Sequence, residues 1–135
     1  MKDVFEIGYR YLMPFLRATL VRKLVQRGLS ETKIASLLVM TQSAVSRYAN
    51  MKRGGVVDLS DREDVMERIE SLADALAEGG LSPYDVQKEL IRVALYSLAR
   101  GYVCRFHNEI DPRIDPSVCD VCRSLFRDFA PTRGG

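Results

Sequence analysis

No stretch of this 135-residue chain is long and apolar enough to read as a membrane span, because Arg17, Arg22 and Lys23 interrupt the early apolar residues. The start does not read as an export signal either, since Met1 is followed by Lys2 and Asp3. A cytoplasmic location is the expectation. Apolar and polar residues nowhere alternate for long enough to make a convincing strand, so a sheet-based fold is not expected. Internal repeats and low-complexity tracts are missing too. Cysteine and histidine are scarce, at three and one. An odd number of cysteines cannot complete a disulfide framework within a monomer, so a reduced compartment or a metal site is the better reading.

What is present fits one domain of ordinary size with a real core, since 47% of the residues are hydrophobic. Charge is nearly balanced at +2 but unevenly spread. From Arg17 to Arg53 there are eight basic residues against one acid, Glu31; from Asp58 to Glu89 there are ten acids against three basic residues. Such a split suggests that one half meets a polyanion while the other faces solvent or a partner.

Helical periodicity dominates. A first helix is expected from Pro14, which suits a first-turn position, to Arg27, with Gly28 as its left-handed stop. Ser30 offers an N-cap for a short helix through Leu38, and Thr41 offers another for a helix from Gln42 to about Asn50. Lys52 to Gly55 reads as a loop. Ser60 or Asp61 is expected to cap a longer helix that carries Val65, Ile69, Leu72 and Leu76 and ends at Gly79 and Gly80. Ser82, Pro83 and Asp85 mark a further helix, with Val86, Leu90, Val93, Ala94 and Leu98, that stops at Gly101. The tail, with Pro112, Pro116 and Pro131, reads mostly as loop. The expected architecture is therefore all-α: a DNA-binding helix-turn-helix region over 1–55, a helical packing and dimerisation region over 56–101, and a metal-binding tail over 102–135.

The segment from Glu31 to Asn50 has the spacing of a helix-turn-helix. Ala35 is small where two helices would cross closely, and Ile34, Leu38, Val45 and Tyr48 are placed to fill the wedge between them. The outward positions of the second helix are then Gln42, Ser43, Ser46, Arg47 and Asn50, short or hydrogen-bonding side chains suited to a major groove. Gln or Asn can bond adenine bidentately and Arg can bond guanine. Thr41 joins this candidate DNA-contacting set at the helix start, and Lys52 and Arg53 are candidate phosphate contacts beyond its end. The run from Thr41 to Tyr48 resembles the recognition helix of small archaeal transcriptional regulators of the phage-repressor-like class, which also carry a C-terminal cysteine cluster. That resemblance implies double-stranded DNA as partner. The turn position usually held by Gly is Val39, so either the turn differs here or it carries strain.

All three cysteines and the single histidine fall within nineteen residues, as Cys104, His107, Cys119 and Cys122, in the pattern C-x2-H-x11-C-x2-C. Two chelating pairs separated by a loop are a usual way to surround one tetrahedral ion, and Cys3His is an accepted structural zinc set. An iron-sulfur cluster is the alternative, with three cysteines and either His107 or an external fourth ligand. Zinc is favoured because the loop lacks a distinct cluster motif. Four protein ligands leave no open position for water, and no acid-base constellation accompanies them, so an enzyme is not expected. The leading reading is a homodimeric, sequence-specific transcriptional regulator, metal- or redox-responsive through its tail. Its competitor is a helical interaction adaptor or antitoxin with a structural zinc site.

Overall fold

The computed structural model describes residues 1–51 and 56–129. Among these the chain is entirely helical, with no strand. α1 (Val4–Ile7) passes through a π-helical turn (Gly8–Leu12) directly into α2 (Met13–Gln26). There follow α3 (Glu31–Leu38), α4 (Gln42–Ala49), α5 (Glu63–Glu78), α6 (Pro83–Ala99), α7 (Cys104–Ile110) and α8 (Val121–Phe129).

The first helix begins ten residues earlier than Pro14 implies. The Asp3 carboxylate accepts the Glu6 amide at 3.0 Å and caps α1. Pro14 has no N–H to donate one turn back, and the helix meets that gap with the π turn placed immediately before it. Proline thus occupies a first-turn position of α2, as its chemistry favours, while the helical path continues through it.

α2 is the central element. It packs against α3, α4, α5 and α6, and buries Leu16, Ala18, Leu20, Val21 and Leu24. Leu20, at 0% exposure, contributes on the order of 1.5–3 kcal/mol through removal from water. The polar residue among them, Thr19, is satisfied within the helix by donating to the Phe15 carbonyl at 2.8 Å. α5 and α6 cover another side of α2 with Val65, Ile69, Leu72, Ala73 and Leu76 from one helix and Val86, Leu90, Val93, Ala94 and Leu98 from the other. Ser82 starts α6 with a reciprocal capping box with Asp85. Arg100 and then Gly101, at φ +75°, end it.

Two expectations are corrected. Neither Ser60 nor Asp61 caps α5: the helix starts at Glu63 behind Arg62, and Ser60 donates its amide to Asp58 instead. Asp64 in the first turn accepts the Tyr96 and Tyr102 hydroxyls at 2.5 and 2.6 Å, which ties the start of α5 to α6 and the turn beyond it. The tail also carries two helices. α7 seats Phe106 in the core, and α8 sets Cys122 and Phe126 against it while packing on α6.

The charge asymmetry is partly consumed inside the molecule. Lys23 and Arg27 of α2 pair with Glu70 and Asp74 of α5, and Arg22 donates to the Met51 carbonyl at 3.0 Å. These three cations therefore brace the α2–α5 contact and hold Met51, just beyond the end of α4. No helix among the described residues is long and apolar enough to cross a membrane.

Candidate functional site

α3 and α4 are joined by the three residues Val39, Met40 and Thr41. Ser30 Oγ accepts the Lys33 amide at 3.1 Å, and Thr41 Oγ1 accepts the Ala44 amide at 3.1 Å, so both expected N-caps are in place. Val39 sits in the left-handed region, at φ 53° and ψ 53°, and the Met40 amide reaches back to the Ala35 carbonyl at 2.9 Å. This is the Schellman-type closure that glycine ordinarily serves. A β-branched residue there carries strain of the order of 1 kcal/mol. Its side chain is 71% exposed, so little burial offsets the cost.

Ile34 and Val45 are fully buried and Tyr48 nearly so, which fastens α3 and α4 to each other and α4 to α2. With that face occupied, Thr41, Gln42, Ser43, Arg47 and Asn50 are exposed and Ser46 is half-buried. The Asn50 side chain folds back to donate to the Ser46 carbonyl at 2.8 Å, and the Arg47 guanidinium lies 5.6 Å from the Tyr48 ring centre. Gln42 and Ser43 project from the first turn with no intramolecular side-chain hydrogen bond among the described contacts. Lys52 and Arg53 lie outside the described residues. Of the other cations nearby, Lys33 is exposed on α3 and Arg17 is half-buried on α2.

Elsewhere in the fold, Cys104, His107, Cys119 and Cys122 line one cavity of about 190 Å³. Met1, Val4, Ile114 and Val121 supply much of its apolar wall. The N-terminal residues are strapped across it: the His107 ring Nε2 donates to the Lys2 carbonyl at 2.7 Å, and the Lys2 amide donates to Asp111 at 2.8 Å. Burial pushes the Cys104 and Cys122 thiols up from their ordinary range, and the other cysteines nearby add to the effect. Arg123 works in the other direction at Cys104. All three cysteines are free and half-buried. Among the described residues, no three His, Cys, Asp or Glu side chains are gathered as a ready donor set for one metal ion. The structure thus brings the four expected ligands to a shared space without closing them on a point.

The sequence did not single out the strap. Its anchor, Asp111, is 3% exposed and accepts from Arg113 as well as from Lys2. Arg113 first, and then the Lys2 amide, hold this carboxyl far below the usual carboxylate range. The Asp-Pro-Arg order at 111–113 was the available signal, because it places a guanidinium two residues from a carboxylate across a turn. No protein-family model, curated protein or solved structure matches the chain.

Proposed function

We propose that this chain is a sequence-specific DNA-binding transcriptional regulator in which α3 and α4 form the helix-turn-helix and α4 enters the major groove. The observation that carries the reading is the division of α4 into two faces. Val45 and Tyr48 are buried, while Gln42, Ser43 and Arg47 are exposed, with the caps and left-handed turn of a tight helical corner preceding them. Gln42 and Arg47 are the base-reading pair, since amide and guanidinium groups can each make bidentate bonds to purines. Thr41, Ser43, Ser46 and Asn50 line the same approach, and Lys52 and Arg53 are assigned to phosphates, as Lys33 is from α3.

Paired half-sites call for paired chains. Tyr84, Ile91 and Leu95 remain exposed along α6 and supply the apolar seam for a homodimer. The cysteine and histidine end is read as a soft-metal site that modulates the regulator.

The test is titration of a random-sequence duplex at rising salt. Neutralising about four phosphates lowers affinity about a hundredfold between roughly 50 and 200 mM salt. An affinity for duplex that is absent at low salt, or indifferent to salt, overturns the DNA reading and favours an interaction adaptor.

A further inference from the structure

We infer that the groove between α2, the α3–α4 corner and α6 is a binding site for a small organic phosphomonoester, with the phosphate held by Arg17 and Arg47 and the apolar body laid on the groove floor. The site stands on its own geometry. Its consequence, competition with duplex for Arg47, rests on reading α4 as the helix that faces DNA.

The groove has a volume of about 320 Å³. That lies at the small end of the range of about 300–1,000 Å³ usual for small-molecule sites. Arg17 comes from α2, Arg47 from α4 and Gln87 from α6, so three helices each bring a nitrogen donor to one wall. No carboxylate among the described residues lines it. The side chains of Arg17 and Gln87 make no hydrogen bond or ion pair among the described residues, and the Arg47 guanidinium has only the Tyr48 ring beside it, at 5.6 Å. The other cations along α2 differ, since Lys23 and Arg27 are answered by Glu70 and Asp74 and Arg22 by the Met51 carbonyl. Arg17 is also half-buried, where an unpaired charge is less well solvated than at a free surface. Two positive charges that face a common space with no acid to answer them call for an anion of matching charge.

A phosphomonoester meets that call. It carries a charge of about −1.5 to −2 at pH 7 and three strong acceptor oxygens, and planar guanidinium forks bind such oxygens in pairs. A carboxylate brings one charge and leaves one arginine unanswered. A phosphate of the duplex backbone also brings one charge, and it is flanked by sugars. The floor asks for something else, because Leu38, Met40, Val86 and Leu90 make it apolar. A molecule with a phosphate at one end and an aromatic or aliphatic body at the other satisfies both halves of the groove.

Arg47 is shared between two tasks. While its guanidinium holds a phosphate in the groove it is withdrawn from base edges, and while it reads a base the groove loses half of its charge. Binding of the phosphomonoester and specific binding of duplex therefore oppose one another, by the same factor in each direction.

The experiment titrates the full-length protein with phenyl phosphate, inorganic phosphate and benzyl alcohol at fixed ionic strength, followed by calorimetry and by the methyl NMR signals of Val86 and Leu90. Phenyl phosphate is expected to bind with a dissociation constant on the order of 1 mM. Inorganic phosphate, which lacks the body, should bind about tenfold more weakly, and benzyl alcohol, which lacks the charge, should not bind measurably. Arg17→Gln removes one charge, and Gln87→Glu sets a carboxylate in the wall from an exposed position. Each should weaken phenyl phosphate at least about tenfold, with circular dichroism checking that both variants stay folded. Phenyl phosphate at ten times its dissociation constant should raise the apparent Kd for a selected duplex about tenfold relative to sodium chloride of equal ionic strength. Phenyl phosphate binding no better than benzyl alcohol, or undiminished in both variants, overturns the site whether or not the protein binds duplex. If Arg17→Gln in that case also weakens all duplexes alike, the groove belongs to a backbone phosphate. Binding of phenyl phosphate with no effect on duplex affinity overturns the competition alone. Failure of the ligand-free protein to bind any duplex overturns the DNA reading and leaves a phenyl phosphate site intact.

Discussion

Around α2, the chain holds its shape by burial: Leu16, Leu20, Val21 and Leu24 meet Ile34, Val45, Ile69 and Ala73 with essentially no exposed surface. Around α7 and α8 it relies more on polar ties beside a cavity. Lys2 is gripped from both sides by His107 and Asp111, while Val121 and Leu125 of α8 each stay 48% exposed. The first region can present α4 rigidly. Under the proposed function, this difference matches a reading helix on a packed core joined to a less densely packed modulating segment.

The strongest way to probe this contrast is to truncate a leucine in each region. Leu20→Ala is expected to cost about 2–5 kcal/mol, because a fully buried side chain leaves a cavity. Leu125→Ala, already half in solvent, is expected to cost less than about 1 kcal/mol. Urea denaturation of both variants checks the difference, and equal costs would erase the distinction between the regions.

Acid should weaken the strap that Asp111 anchors. The Asp111 carboxyl is held low when folded, so the folded state binds fewer protons than the unfolded one as pH falls through the carboxylate range. Its contribution is complete above its ordinary value of 3.8 and is lost progressively as pH drops below that value. Acidification below pH ~4 should therefore progressively weaken the strap, and the accessibility of the cysteines to a disulfide reagent that reacts in acid, measured relative to a small free thiol, should rise. Asp111→Asn should show the raised accessibility, relative to the free thiol, at every pH in that range; an unchanged acid profile in the variant would assign the effect to another group.

A smaller effect, of opposite sign, is expected at the turn. Val39→Gly removes a left-handed β-branched residue while giving up little burial, although glycine also gives the unfolded chain more freedom. The net expectation is stabilisation by about 0.5–1 kcal/mol in thermal denaturation. A destabilised variant would show that Val39 has a packing role its exposure conceals.

These regions were unequally legible in the sequence. Ser30, Thr41 and Ser82 announce their helices because a cap needs only a side-chain oxygen near local amides, and Gly28 and Gly101 announce stops because their conformation is local too. The start of the first helix was hidden by Pro14, whose usual place is a helix beginning, since the π turn that accommodates it has no simple sequence mark. α7 and α8 were hidden by Pro112 and Pro116, although Phe106 and Ile110, and Cys122 and Phe126, recur four residues apart. The pairing of Lys23 and Arg27 with Glu70 and Asp74 joins positions more than forty residues apart, so charge counting alone overstated the free positive surface. Local chemistry was readable; the strap and cavity depend on where distant segments meet.

The most direct test of the central claim is to select an operator from random duplexes with the intact protein, and then compare Gln42→Ala and Arg47→Ala on that operator and on a scrambled duplex. Each lost bidentate contact is expected to cost about 1–3 kcal/mol of discrimination, with affinity for the scrambled duplex much less affected. Unchanged preference for the operator in both folded variants would contradict the assignment of α4 as the reading helix.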